Sequence, residues 1–237
     1  MNYSLDLSEN DFEFSWINLK SKEMEYQIGL KTLRNLIISQ DLSLAKIKEN
    51  FEQSIIRDKT LNSLDPNNKA NFYEDFYNEQ EQILDEIDII QRYSMCVSCF
   101  SFFESRLKEL CELIESNFKL DLKIEDLYSK SDILRYWIFL VKVFKISVTE
   151  NLLFNSITDK KDVRNIIIHQ NGISNSKQLK KIKSINGIHL SALNGQTRIV
   201  MIGSQFNNDL LCEIEKFFSV LLKAIDERYK EMSVEGK

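Results

Sequence analysis

Of the two histidines in the chain, His169 follows Arg164 by five residues, within Asp162-Val163-Arg164-Asn165-Ile166-Ile167-Ile168-His169-Gln170-Asn171-Gly172. An arginine grips a phosphate through two parallel hydrogen bonds, and a histidine exchanges protons near neutral pH. Together they suit cleavage of an RNA phosphodiester, in which the 2′-OH attacks the adjacent phosphorus and no metal is required. On an ideal helix Arg164 and His169 lie about 140° apart, so they are not stacked. Asn165 and His169, four residues apart, do share a face. Arg164 is long enough for its guanidinium to swing towards that face. By spacing alone the same residues also describe a plain helix end, where the macrodipole favours a histidine.

Other chemistries lack their residues. No G-x-x-x-x-G-K-[ST] or G-x-G-x-x-G cradle, H-E-x-x-H pair or G-x-S-x-G elbow occurs. Two histidines cannot build a His-rich metal site, and no cofactor is expected. Cys96-Val97-Ser98-Cys99 is formally C-x-x-C, but no second pair completes it. Inside a Met- and Phe-rich helical run these two read as core cysteines. His189 has no partner by spacing and reads as structural.

The elements around the motif read as long helices. One Pro and six Gly in 237 residues leave few places to break one. Apolar spacing predicts helices over about 8–38, with Ser8 as its cap and Asp11 three residues on, and over about 42–62. Leu64-Asp65-Pro66-Asn67-Asn68 is a turn with a helix restart behind it. Residues 69–117 contain no stop signal, and their roughly 70 Å as one helix demands a kink near Tyr93-Ser94 or an extension beyond the bundle. Further helices are expected over about 131–146 and 149–171. Ser147 and Glu150 supply a capping box for the second, and Gly172 a terminating glycine. Val163, Ile167 and Gln170, with Ile166 beside them, are the stripe expected to anchor this helix. Ile188–Leu193 and Thr197–Ile202 flank Asn194-Gly195, a type I′ hairpin signal. Asn207 or Asn208 is the expected cap of a final helix over about 208–230.

A net charge of −5 gives no global attraction to nucleic acid, so any RNA must be held by a local patch. Lys160 and Lys161 before the motif, and Lys177, Lys180, Lys181 and Lys183 after it, are the candidates. They equally describe a solvated loop. The N-terminus lacks a secretory pattern, and the most apolar run, residues 136–144, is too short for a bilayer. A cytoplasmic protein without a membrane partner is expected.

R-N-x-x-x-H at Arg164–His169 resembles the R-x4-H signature of the HEPN superfamily. The resemblance extends to Phe100-Ser101-Phe102-Phe103-Glu104-Ser105-Arg106-Leu107-Lys108-Glu109-Leu110, an apolar run carrying an acidic residue, and to the order of elements over 94–230. It implies a mainly α fold, a HEPN-like up-and-down four-helix bundle with a small β-hairpin before the last helix. Residues 1–90 match no known group and are expected to be a helical extension, packing on or protruding from a 91–237 bundle domain. The implied activity is metal-independent endoribonuclease, in a toxin–antitoxin or abortive-infection (antiviral defence) setting. Arg164 would bind the scissile phosphate, His169 would act as general acid or base, Asn165 would orient the pair and Glu104 would be a supporting acid. A homodimer with one composite cleft is implied, with an antitoxin or other defence protein as a possible partner. The other reading is a non-catalytic helical module that binds a protein or nucleic acid.

Overall fold

The computed structural model describes residues 13–147, 151–193, 195–201 and 203–235, without the side chains of 151, 176, 177, 193 and 235. Eight α-helices appear among them: α1 (Ile17–Arg57), α2 (Lys59–Ser63), α3 (Pro66–Phe76), α4 (Asn78–Asn117), α5 (Asp132–Ile138), α6 (Asn151–Gln170), α7 (Ser176–Ile182) and α8 (Gln205–Glu235). The strands are β1 (Ile173–Ser174), β2 (Ile188–Leu193) and β3 (Gln196–Met201). The fold is mainly α with a small three-stranded sheet.

Helix α1 is one helix where two were expected. Its 41 residues include Ser39–Leu42, where no glycine or proline breaks the hydrogen-bond ladder. The Asp41 carboxylate there pairs with Arg92 of α4. The expected caps Ser8 and Asp11 lie outside the described residues. The break at Pro66 forms as read, with Asp65 accepting from the Asn67 and Asn68 N–H groups at 3.1 and 3.2 Å. The next helix does not run unbroken from Lys69. It is interrupted at Tyr77, then continues as α4 through Tyr93 and Ser94 with no break.

Four long helices and the short α5 share one core. Leu210, Leu211, Ile214, Phe217, Phe218, Leu221 and Leu222 of α8 are all buried, at the positions that periodicity assigns to its inner face. They meet Phe100, Phe103, Leu107 and Leu110 of α4, with Phe103 edge-on to Phe217 at 5.3 Å. Trp137 of α5 stacks on Phe154 of α6 at 4.4 Å, closing the other side. Each such side chain, fully buried, contributes about 1.5–3 kcal/mol. Helix α1 belongs to the same core through Leu19, Tyr26, Leu30, Leu33 and Ile37. Gly29 allows its close approach, since a Cβ there would stand 2.3 Å from the Phe102 ring. The N-terminal helix therefore packs on the bundle, against α4 and α8, and α4 itself passes through residue 90 uninterrupted. No helix among the described residues is long and apolar enough to cross a membrane.

Two further details depart from the sequence expectations. The helix expected over 131–146 is short: α5, capped by Ser131, passes into a π turn at Phe139–Val143 whose Phe139 and Leu140 are buried. Asn207 does not cap α8; it sits inside the first turn, buried, donating to the Arg92 carbonyl oxygen at 3.1 Å. The Glu150 half of the proposed capping box lies outside the described residues, as does Asn194. The hairpin itself forms, β2 pairing antiparallel with β3 from Ile188↔Met201 to Leu193↔Gln196. Strand β1, which periodicity did not signal, adds to the other edge of β3.

Candidate functional site

Helix α6 carries the motif, and its buried stripe decides where each motif side chain points. Phe154, Ile157, Val163, Ile166 and Ile167 are buried against the core. Gln170, expected in that stripe, is exposed instead. It is the last residue of α6. Lys160 takes the inward place one turn before Arg164.

The end of α6 is held from three sides. Asn171 and Gly172 both have positive φ, 48° and 78°, and the Gly172 N–H returns to the Ile166 carbonyl at 3.2 Å. The Gly172 carbonyl accepts the Ile199 N–H of β3 at 2.9 Å. Tyr93 of α4 donates its hydroxyl to the Ile199 carbonyl at 2.5 Å and lies so near that a Cβ on Gly172 would stand 1.9 Å from it. Beside it Arg198 of β3 makes a two-pronged pair with Glu86 of α4, at 2.5 and 3.0 Å. Tyr93, Arg198 and Glu86 thus fix the helix end that presents His169. Sequence spacing could not have found them, because they are far apart in the chain.

The guanidinium of Arg164 is half-buried and bends back to donate from Nη1 to Asn165 Oδ1 at 3.2 Å. This is the swing that its length allowed. Its Nε is buried with no hydrogen-bond partner, and its charge reaches the buried Cys96 thiol of α4. His169 is exposed on the stripe that also holds Asp162 and Asn165. Arg164 is thus hydrogen-bonded to Asn165, and His169 lies one turn further along the face that Asn165 occupies.

Glu104 does not join them. It stands eight residues beyond Cys96, about 12 Å further along α4, at the level where Phe103 packs on Phe217 near the opposite end of α6. No ion pair joins it to Arg164 or His169 among the described residues.

The lysines divide. Lys160 is only 9% exposed, and its ammonium contacts both Glu213 carboxylate oxygens at 2.7 Å. It joins α6 to α8 and is withdrawn from any surface patch, which corrects its place among the RNA-binding candidates. Lys181 pairs with Asp162 at 3.1 Å on the outside. Lys180 and Lys183 are exposed and Lys161 is half-exposed. The side chain of Lys177 lies outside the described residues.

Lys180 and Lys181 lie on α7, a helix where the sequence offered a solvated loop. Its signal was present as Asn175-x-x-Gln178. The Gln178 N–H donates to Asn175 Oδ1 and the Asn175 N–H to Gln178 Oε1, both at 3.0 Å. Buried Ile182 seats α7 on the core. Between α6 and α7 opens a cavity of about 280 Å3 lined by Asp162, Asn165, Ile166, Gln178 and Lys181.

Cys96 and Cys99 are core residues. Burial pushes both thiols up, Cys99 to about 12, which removes the thiolate that redox or metal chemistry needs. Among the described residues no group of three or more His, Cys, Asp or Glu side chains is placed to hold a metal. His189 is exposed on β2. No family model, curated protein or solved structure matches the chain.

Proposed function

We propose that the chain is a metal-independent endoribonuclease of the HEPN type, acting on cellular RNA as a toxin or abortive-infection effector. The observation that supports this reading is the Arg164–Asn165 hydrogen bond, which holds the guanidinium against the amide that lies one turn before the exposed His169. In the mechanism the 2′-OH attacks the adjacent phosphorus, its proton passes to a base, and an acid protonates the departing 5′-oxygen. The products are a 2′,3′-cyclic phosphate and a 5′-hydroxyl end. Arg164 neutralises the charge that builds on the phosphoryl oxygens, and Asn165 holds the guanidinium in place. One imidazole serves as acid or as base in a given turnover. A homodimer with two α6 ends across one cleft supplies both. An antitoxin or another defence protein would restrain it.

The test is inducible expression of wild type beside Arg164→Ala and His169→Ala, with total RNA sequenced for new ends. Loss of proton transfer is expected to lower cleavage about 100- to 10,000-fold, with both variants still folded. Undiminished cleavage by both variants would refute the assignment.

A second reading, a non-catalytic interaction module, is favoured by one feature. Ile17, Met24, Ile28, Ile38 and Leu42 are all exposed on α1, within an arc of about 80°. Purified protein that cuts no RNA but holds a stable partner through this stripe would favour the module.

A further inference from the structure

The cavity between α6 and α7 offers hydrogen-bonding groups that the cleavage chemistry does not use. Asn165 Oδ1 is occupied by Arg164, so its NH2 is the group left for the cavity. Gln178 Oε1 is occupied by the Asn175 N–H, which leaves a second amide NH2. The Asp162 carboxylate adds an acceptor, and Ile166 forms an apolar floor.

Charge decides what kind of ligand suits these walls. The Lys181 ammonium is already balanced by Asp162 at 3.1 Å, so the walls carry no net positive charge to hold an anion. A phosphate is therefore disfavoured. A neutral, planar group with both acceptors and a donor on its edge fits. The volume, about 280 Å3, lies just below the roughly 300–1,000 Å3 of sites for larger ligands and suits a single ring system. Unpaired RNA bases have this character and are read by hydrogen bonds to their edges.

We infer that this cavity is a nucleobase subsite, in which Asn165, Gln178 and Asp162 read one unpaired base next to the phosphate gripped by Arg164. The inference rests on the ribonuclease reading of the α6 end and adds to it a source of sequence preference. Asn165 links the two functions, with its carbonyl oxygen on Arg164 and its NH2 on the base. The preference should therefore fall on a nucleotide immediately flanking the cut.

Two measurements on the full chain test it. In the first, His169→Ala protein, used so that the probes stay intact, is titrated with homopolymeric ribo-oligonucleotides of A, C, G and U. One is expected to bind about tenfold tighter than the weakest, the scale of a base-edge contact. Gln178→Glu keeps the oxygen that accepts the Asn175 N–H but replaces the NH2 donor, and Asp162→Asn swaps the acceptor wall for a mixed one. Each is expected to abolish or change the preferred base. Equal affinity for all four probes, or a preference unchanged in both variants, overturns the subsite. In the second, ends produced by wild-type protein are mapped on random-sequence single-stranded RNA, where one flanking position should be enriched in the base preferred in binding. A different enriched base, or none, overturns the subsite. Base-selective binding without any cleavage overturns the ribonuclease reading and leaves the subsite as that of an RNA-binding protein.

Discussion

Replacing Gly172 by alanine tests the claim that α4 and β3 fix the helix end presenting His169. The residue has a φ of +78°, a region that costs an alanine roughly 1–2 kcal/mol. The new methyl would also stand 1.9 Å from the Tyr93 hydroxyl and 2.6 Å from its ring carbon. Tyr93 is buried and tethered to Ile199, so it moves only by giving up that hydrogen bond, worth about 1 kcal/mol. The expected loss is therefore about 2–3 kcal/mol in equilibrium urea unfolding. Tyr93→Phe alone should cost about 1 kcal/mol. The double variant should cost less than the sum, because the hydrogen bond can be lost only once. A Gly172→Ala protein within about 0.5 kcal/mol of wild type, or strict additivity in the double, would refute the reasoning.

Three other outcomes follow from the same geometry. Lys160→Met should destabilise the fold by about 2–3 kcal/mol, below the full range for a buried pair because Glu213 keeps some solvent contact. It should leave the salt dependence of RNA binding unchanged, whereas Lys180→Ala or Lys183→Ala should each reduce the slope by about 0.7; a reduced slope for Lys160→Met would return it to the patch. Hydrogen bonding from Arg198 holds the Glu86 carboxyl below its usual 4.5, so the stability it contributes is present above that pH and lost as pH falls through the lowered value. Glu86→Gln should flatten the acid side of the stability–pH curve below 4.5, and an unchanged slope would contradict the pairing. Of the four cysteines only Cys212 is exposed, so a thiol reagent on native protein should label one site rapidly. Rapid labelling of Cys96 or Cys99 would show that the α4 core opens readily.

Much of the helical framework was legible in one dimension because it rests on local signals. Asp65-Pro66 restarts a helix through its own side chain and ring, and the inner face of α8 follows from a 3.6-residue period. The β2–β3 hairpin formed where its strand signals placed it. Helix continuity was less legible. The expected break at Ser39–Leu42 does not form, and Asp41 there pairs with Arg92, fifty-one residues away.

The candidate site divides along the same line. The sequence by itself determined that Arg164, Asn165 and His169 would share one helix and that Asn165 would lie four residues from His169. It also contained, unread, the Asn175–Gln178 cap that creates α7. Only the tertiary structure decided that the guanidinium turns to Asn165, that Lys160 faces Glu213 rather than solvent, and that Glu104 forms no ion pair with Arg164 or His169 among the described residues. The physical reason is that spacing sets the angle of a side chain around its own helix. Its electrostatic partner, and so its chemical role, is set by the neighbour that packs against that angle.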